Sequence, residues 1–429
     1  MRKEKRDSRL HRKKIRWKLV VPFLVLITLI LYIVATLMFP HKVEVIQPKY
    51  NVCDYNLTKA QAVFKDMSYT ETEVLAEHLY YGETLNVFNQ PFELGKVDPF
   101  VGKTIILRDL CDNTEFIFPL EQDIDLQIYL DTLPEGFYEV FVRENNKEIR
   151  LISTEVFYDE FFTIRRLNGL GTEVEVIADK DLIESPIENQ TIFDKNYVFI
   201  RVIEKEVPSD IYDVVIDPAR NYEKGDSSTI NGVEIATALL NSAMLLKEKL
   251  EAYGLKVYIT HGPEIVDRWG LAGRYAKSYT VKAKYYLTLD LDSNTNPNKR
   301  GASIYYSNYT SNRFPTAIFD SYLDLHEMLI EEGTGTGILT KSLDTFMDPS
   351  PDIRETGGKI LGAAKYRGDS SLNASFAKDN PYGAQSLVLY MLYISSPYDL
   401  TIYQTQHDMI IENIALGFAD YLQLKKVTQ

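Results

Sequence analysis

A chain of 429 residues is long enough for two or three domains with sizeable cores, and its 45% hydrophobic and 25% charged residues are ordinary for a globular protein. The formal net charge of −14 indicates an acidic protein, which argues against nucleic acid as a partner. The charge is unevenly distributed, because residues 1–18 hold ten Lys or Arg and only two acids.

An uncharged segment follows this basic arm. Residues 19–39 read LVVPFLVLITLILYIVATLMF. At about 1.5 Å per residue, a helix of this length spans the roughly 30 Å hydrocarbon core of a bilayer. The segment is longer than the apolar part of a cleavable signal peptide, and it lacks a small-residue cleavage site. It therefore predicts a transmembrane helix that acts as a signal anchor, with the lipid bilayer as a partner.

The basic arm also predicts the orientation of the chain. Basic residues stay on the cytoplasmic side of a membrane, so we expect a single-pass protein of the cell membrane with a cytoplasmic N-terminus and extracellular C-terminal domains. Cys53 and Cys111 would then lie outside the cell, where a disulfide can persist. Their spacing alone does not establish the geometry of a bridge, so two unpaired thiols remain an alternative.

The membrane-proximal segment, residues 40–99, has a mixed pattern. Within it, SYTETEVLAEHLYYG predicts a short helix that begins near Thr70 or Thr72 and ends at Gly82.

Residues 100–207 have a strand-like pattern. IDLQIYL, Ile124–Leu130, alternates apolar and polar side chains, and turns such as LPEG and ENNK separate further short strands. This spacing predicts a β-rich, sandwich-like domain. No cluster of residues in it indicates chemistry, so we interpret it as a spacer or a binding module.

After Pro208 the pattern alternates between β and α, which predicts an α/β domain over residues 208–429 with a parallel-rich sheet flanked by helices. DVVIDP, LKVYIT, YYLTLDLD and SLVLYMLYIS predict strands. GVEIATALLNSAMLLKEKLEAYG, WGLAGRYAKSY and HDMIIENIALGFADYLQ predict helices. Ligands of such sheets bind at the carboxyl ends of the strands. The strand ends therefore place Asp217, Arg220, His261, Asp290 and Asp292 in the predicted cleft.

Seven blocks of this domain occur in a specific order: IDPARNY, NGVE, EAYGLKVYITH, YYLTLDLDSN, GASIYY, LVLYMLYISSPYD and the terminal helix. Together they resemble the zinc-dependent N-acetylmuramoyl-L-alanine amidases of bacterial cell-wall turnover, over about residues 210–425. The resemblance implies a hydrolase fold in which three side chains bind zinc and a glutamate acts as general base. In such a site zinc lowers the pKa of its bound water to about 7 and polarises the amide carbonyl.

The resemblance places the family's first zinc histidine at Arg220, its ligand glutamate at Glu234, its second histidine at Asp290 and its base at Tyr390. Arginine has no lone pair and stays protonated, so it cannot bind zinc. Only Glu234 keeps the family's residue. We therefore predict a degenerate, inactive member without zinc, in which Arg220 forms an ion pair with Glu234 or Asp290.

These observations predict a membrane-anchored cell-envelope pseudoenzyme that binds peptidoglycan or a cell-wall enzyme. Two alternatives stay open. One is an active peptidoglycan amidase with an altered zinc site formed by His261, Glu234 and Asp290; otherwise His261 is expected to be a polar surface residue. The other makes the β-rich domain the working module and the amidase-like domain a scaffold.

Overall fold

The computed structural model describes residues 72–74, 78–81, 84–87, 100–121, 127–129, 133–153, 156–166, 168–179, 195–220, 228–267, 273–274, 277–307, 312–325, 328–341, 382–383 and 385–426. All of them belong to one compact unit, residues 51–429. The predicted arm and transmembrane helix, residues 1–39, lie outside the described residues. Within the described ranges, no helix is long and apolar enough to cross a membrane. Cys111 is disulfide-bonded, whereas Cys53 lies outside the described residues.

The first half of the unit is β-rich. Its strands are β1 (Thr72–Val74), β2 (His78–Tyr81), β3 (Thr84–Val87), β4 (Thr104–Asp109), β5 (Glu115–Pro119), β6 (Gln127–Tyr129), β7 (Gly136–Glu144), β8 (Lys147–Ser153), β9 (Phe157–Phe162), β10 (Leu170–Ala178) and β11 (Asn196–Glu206). Eight of them form a sheet in the order β5-β4-β7-β8-β11-β10-β9, with β1 beside β8. The pairs are antiparallel except for β1 with β8.

The helix predicted near Thr70 to Gly82 is wrong, because strands β1 and β2 occupy this segment. β2 pairs antiparallel with β3, and His78 lies opposite Val87. Tyr80 and Tyr81 have a high strand propensity, and cross-strand pairing outweighs the weak helical pattern. The strand predicted over Ile124–Leu130 is described only over its centre, as β6.

The second half is α/β. Its strands are β12 (Val214–Pro218), β13 (Thr229–Ile230), β14 (Val233–Glu234), β15 (Val257–Ile259), β16 (Tyr285–Asp292), β17 (Ser303–Ser307), β18 (Ile338–Lys341), β19 (Tyr382–Gly383) and β20 (Gln385–Tyr393). Its helices are α1 (Ile235–Glu251), α2 (Lys277–Thr280), α3 (Arg313–Leu323) and α4 (Pro397–Tyr421). Of the helix predicted from WGLAGRYAKSY, the described helical part is α2.

Six of these strands form a mixed sheet in the order β15-β12-β16-β20-β17-β18. Only β17 and β20 run antiparallel to each other, so the prediction of a parallel-rich sheet is confirmed. β19 belongs to a separate small sheet, in the order β19-β2-β3-β6. The division of the chain at residue 207 stays a prediction, because both halves belong to the same compact unit.

One face of the six-stranded sheet packs against helices. Leu239, Leu246 and Leu250 recur at helical spacing on α1 and are buried against alternate strand residues such as Ile216 and Leu289. Each buried side chain of this kind contributes about 1.5–3 kcal/mol to stability. Since successive strand residues point to opposite faces, the intervening polar residues of β12 and β16 lie on the face away from this core.

A buried carboxylate joins the two halves. The Oδ1 atom of Asp213 accepts the backbone N–H of Arg165 at 3.0 Å, and its Oδ2 atom accepts that of Lys256 at 2.6 Å. The Arg165 guanidinium donates to three carbonyls of the connection between β11 and β12, those of Val207, Pro208 and Ile211. Burial raises the pKa of Asp213 to about 6.

This shift predicts a pH dependence of stability. The folded-state pKa of about 6 lies above the ordinary 3.8, so Asp213 favours folding most below about pH 4, and its contribution is lost as the pH rises through about 6. Since one pKa unit corresponds to about 1.4 kcal/mol, the loss is on the order of 3 kcal/mol. We expect Asp213→Asn to remove it.

Urea unfolding between pH 4 and 7 measures this effect. The free energy of unfolding of the native chain should fall relative to that of Asp213→Asn as the pH rises. Asp210→Asn, which changes a nearby exposed carboxyl, is the control and should leave the pH dependence of the native chain intact. Parallel curves for the native chain and Asp213→Asn would contradict the prediction.

Candidate functional site

The candidate site lies at the carboxyl ends of β12 and β16. Arg220 follows β12, and its Nε and Nη2 atoms donate to Oδ1 and Oδ2 of Asp290 at 3.2 Å and 3.0 Å. Asp290 is buried and also accepts the backbone N–H of Leu291 at 2.8 Å. This two-pronged contact confirms the predicted ion pair, with Asp290 as the acid. Bidentate geometry of this kind gives the stronger charge-assisted hydrogen bonds.

Glu234 begins helix α1. Asn231 and Gly232, with φ angles of 51° and 80°, form the tight turn between β13 and β14 that leads into it. The Glu234 side chain accepts the backbone N–H of Thr237 at 2.8 Å, so it acts as the N-cap of α1. The residue predicted as a retained zinc ligand therefore has a structural contact in this protein.

A buried polar cluster supports the chain just before Arg220. Asp217 is buried and accepts the Thr260 hydroxyl at 2.6 Å. Arg274 is fully buried, and its guanidinium donates to the carbonyl oxygen of Pro218 at 2.8 Å and to that of Ala219. Arg274 thereby fixes the two residues that precede Arg220. Sequence reasoning missed it because WGLAGRYAKSY was interpreted only as a helix, and nothing in that stretch distinguishes the basic residue Arg274 from Lys277.

His261 is buried, so the expectation of a polar surface residue is wrong. Its Nδ1 and Nε2 atoms lie 2.8 Å and 2.9 Å from the carbonyl oxygens of Gly262 and Pro218. Both ring nitrogens therefore contact the backbone. Strand β15 ends at Ile259, and the chain turns inward beneath the residues after β12, which buries the ring.

Tyr390 lies beside Asp290, because the two residues are paired in adjacent strands β16 and β20. On its other side Tyr390 is paired with Ser303 of β17. The Tyr390 ring also meets that of Tyr305 edge to face, with centroids 5.6 Å apart. The predicted base position thus belongs to the same end of the sheet as Arg220, and it presents a phenol there.

Asp290, Tyr390 and Ser303 form a row across the end of the sheet, and this row continues to Glu331. Sequence reasoning missed Glu331. Glu331 accepts the hydroxyls of Ser303 at 2.8 Å and Tyr393 at 2.6 Å, and it lies 2.8 Å from Lys299 Nζ. Burial acts to raise the pKa of Glu331, but the hydrogen bonds from Lys299, Tyr393 and Ser303 together lower it below its usual value. These partners come from distant loops and strands, so no local motif could reveal them.

Asp292 lies near this cluster. It is partly buried, and its Oδ1 atom accepts the backbone N–H of Ser293 at 2.7 Å. Burial, with the charges of Glu331 and Asp292, raises the pKa of Tyr393, so its phenol stays protonated. A groove of about 910 Å³ lies elsewhere, between α1 and β15, and it touches only His261 of the predicted cleft residues. We place the site at the row of polar residues and not in this groove.

The residues present do not fit the zinc ion that the family implies. Both carboxylate oxygens of Asp290 accept hydrogen bonds from the Arg220 guanidinium, and the Glu234 carboxylate caps helix α1. Among the residues that the structure describes, no group of three or more His, Cys, Asp or Glu side chains could hold a metal ion. The expectation that the protein works without zinc remains a prediction.

The fold and these strand-end residues define an α/β domain with polar side chains along the carboxyl end of its sheet. A family model of N-acetylmuramoyl-L-alanine amidases matches residues 214–346. These residues thus form a domain of the N-acetylmuramoyl-L-alanine amidase family. The match ends before β20, so the place of Tyr390 in the family pattern rests on the resemblance of the sequence blocks alone. No curated protein matches the chain.

Several solved structures resemble the chain at low identity. N-acetylmuramoyl-L-alanine amidase AmiC2 of Nostoc punctiforme is 18% identical with a TM-score of 0.35, over 51% of this chain and 99% of that one. The catalytic domain of CwlV from Bacillus (Paenibacillus) polymyxa var. colistinus is 17% identical with a TM-score of 0.35, over 50% and 99%. CwlD from Clostridioides difficile, solved with the GerS lipoprotein, is 12% identical with a TM-score of 0.32, over 49% and 98%. The family match carries the assignment, because these TM-scores are low.

The Arg220–Asp290 pair should show measurable energetic coupling. Asp290 is almost fully buried, while Arg220 is partly exposed, so solvent screens part of the attraction. We expect a coupling of about 1–2 kcal/mol in a double-mutant cycle of Arg220→Gln and Asp290→Asn, followed by urea unfolding. The control cycle is Arg166→Gln with Glu204→Gln, an exposed pair at 3.5 Å, for which we expect less than about 0.5 kcal/mol. Equal couplings would contradict the prediction.

Proposed function

We propose that this chain is a membrane-anchored protein of the bacterial cell envelope. In this proposal its amidase-family domain binds peptidoglycan or a cell-wall enzyme and does not hydrolyse amide bonds. The single observation that carries the proposal is the ion pair between Arg220 and Asp290, because it occupies the strand ends at which the family resemblance places two zinc ligands.

A guanidinium cannot substitute for zinc in the chemistry of an amidase. It offers N–H donors and a positive charge, but it has no vacant orbital for a water oxygen and does not generate hydroxide at neutral pH. It can bind a carbonyl or carboxylate oxygen, which is a binding function. The contact therefore favours recognition without hydrolysis.

The other two family positions support the same conclusion. The carboxylate of Glu234 caps α1 through Thr237. Tyr390 stands where the general base is expected, and an unperturbed phenol with a pKa of about 10 does not accept a proton efficiently at neutral pH.

The location rests on the N-terminal sequence. The basic residues 1–18 and the uncharged residues 19–39 favour a single-pass anchor with a cytoplasmic N-terminus. The amidase-family domain would then lie outside the cell, where peptidoglycan is found.

An active peptidoglycan amidase with an altered metal site is the second candidate. The family match over residues 214–346 and the retained Glu234 favour it. The buried ring of His261, with both nitrogens against carbonyl oxygens, speaks against its taking part in such a site.

The proposal is tested with purified sacculi. The full-length chain in detergent should sediment with sacculi and should not clear them in a zymogram that includes an authentic amidase. Clearing, or the release of L-alanine-linked peptides from the glycan, would show that the domain is an active amidase. Failure to sediment would exclude peptidoglycan as the partner. Crosslinking in the membrane would then test for a cell-wall enzyme as the partner.

Restoring the lost ligands should restore metal binding but little activity. In Arg220→His with Asp290→His, the two histidines would stand with Glu234 at the family positions, and the opposing cation would be gone. We expect calorimetry to detect tight zinc binding in this double variant and none in the native chain. Hydrolysis should stay low, because Tyr390 does not act as the base.

Adding Glu234→Gln to the double variant provides the control. It removes the third ligand, so zinc affinity should fall at least tenfold if Glu234 completes the site. Tight zinc binding by the native chain, or no binding by the double variant, would show that Arg220 and Asp290 do not occupy the ligand positions.

A further inference from the structure

Three ion pairs at the carboxyl end of the six-stranded sheet share one arrangement: the acid is much less exposed to solvent than its partly exposed base. The pairs are Arg220–Asp290 at 3.0 Å, Lys299–Glu331 at 2.8 Å and Arg300–Asp399 at 3.4 Å. The exposed fractions of base and acid side chains are 37% and 5%, 32% and 11%, and 27% and 3%, in that order. We call the three bases the basic rim.

Each acid is held in place by donors other than its base. Asp290 accepts the backbone N–H of Leu291. Glu331 accepts two hydroxyls, as described above. Asp399 accepts the backbone N–H groups of Gly301 at 2.9 Å and Tyr393 at 3.1 Å. The bases therefore rest on rigid partners, which reduces the conformational entropy that they would lose on binding a ligand.

The rim extends across the sheet. Asp290 lies beside Tyr390, Tyr390 lies beside Ser303, and Ser303 contacts Glu331. With adjacent strands about 4.8 Å apart, Arg220 and Lys299 are separated by roughly 10–15 Å. Arg300 follows Lys299 in the chain, and its guanidinium lies 3.5 Å from the centroid of the Tyr398 ring.

The exposed bases remain charged. The hydrogen bond to Glu331 raises the pKa of Lys299, so its ammonium is protonated at all physiological pH values. Arginine is always protonated. Because each pair is neutral as a whole, the rim produces little long-range field in this acidic chain, and its attraction for an anion acts at contact distance.

We propose that the basic rim binds a ligand that carries two or more carboxylate or phosphate groups about 10–15 Å apart. Guanidinium groups bind carboxylates and phosphates through paired hydrogen bonds, and a lysine adds a point charge. Carboxylates of cell-wall peptides and phosphates of an anionic wall polymer both offer this chemistry. The proposal rests on the proposed binding function and specifies the ligand chemistry of that site.

Calorimetry with the full-length chain in detergent tests the rim, with a poly-L-glutamate oligomer and inorganic polyphosphate as separate probes and an uncharged chitooligosaccharide as the neutral control. We expect one anionic probe to bind and the neutral probe not to bind. The preferred probe identifies carboxylate or phosphate as the ligand group.

Variants locate the binding. Lys299→Gln with Arg300→Gln should weaken binding about tenfold or more, whereas Lys299→Arg with Arg300→Lys should keep most of it. The conservative pair and a thermal melt separate lost binding from lost folding. The matched control is Lys205→Gln, because Lys205 is also an exposed base over a buried acid, Glu173, but lies in the β-rich sheet. The Lys205→Gln variant should bind the anionic probe as tightly as the native chain does.

Two outcomes would overturn the inference: neither anionic probe binds, or Lys205→Gln weakens binding as much as the rim variants do. Either result can coexist with sedimentation on sacculi, in which case the proposed function stands and the rim does not explain it. If the chain clears sacculi while the rim variants lose anion binding, the proposed inactivity is wrong, but the proposal that the basic rim binds anions is supported.

Discussion

The contact between Arg220 and Asp290 is the central interaction of the candidate site. Both residues occupy strand ends that meet at one edge of a parallel sheet, where the fold gathers side chains from distant parts of the sequence. An ion pair is stable there because Asp290 is buried with a second donor, the backbone N–H of Leu291. The pair puts fixed charge at the two positions where the family resemblance predicts metal ligands. The surrounding polar residues are arranged around that pair.

The sequence predicted the architecture where its patterns are long and regular. The helix predicted from GVEIATALLNSAMLLKEKLEAYG is present as α1, on which Leu239, Leu246 and Leu250 are buried, and Gly254, with a φ of 86°, lies beyond its end. The ion pair of Arg220 was predicted because the family resemblance places Arg220 and Asp290 at two positions that are expected to lie close together. Short elements were less predictable: the strands near Leu79 depend on partners elsewhere in the chain, which a local pattern does not contain.

Site residues were predictable from the sequence only where they directly follow a recognisable strand. His261 was assigned to the surface but is buried, because burial depends on how the chain turns after β15. Glu331 and Lys299 were missed because they enter the row through loops, and their contacts with Ser303 and Tyr393 connect residues up to 62 positions apart. Arg274 was missed for the same reason: its partners are backbone carbonyls 55 and 56 residues away. Such contacts leave no periodicity in the sequence.

The small sheet β19-β2-β3-β6 has a consequence for biosynthesis. Tyr80 in β2 pairs with Tyr382 in β19, so a strand near the beginning of the chain has its neighbour near the end. Contacts so distant in sequence form slowly, because the intervening chain must first be ordered. A chain that emerges N-terminus first must hold β2 and β3 without this partner until residue 382 has been synthesised. During that interval an unpaired strand edge is available to other chains, which makes chaperone protection of the nascent protein advantageous.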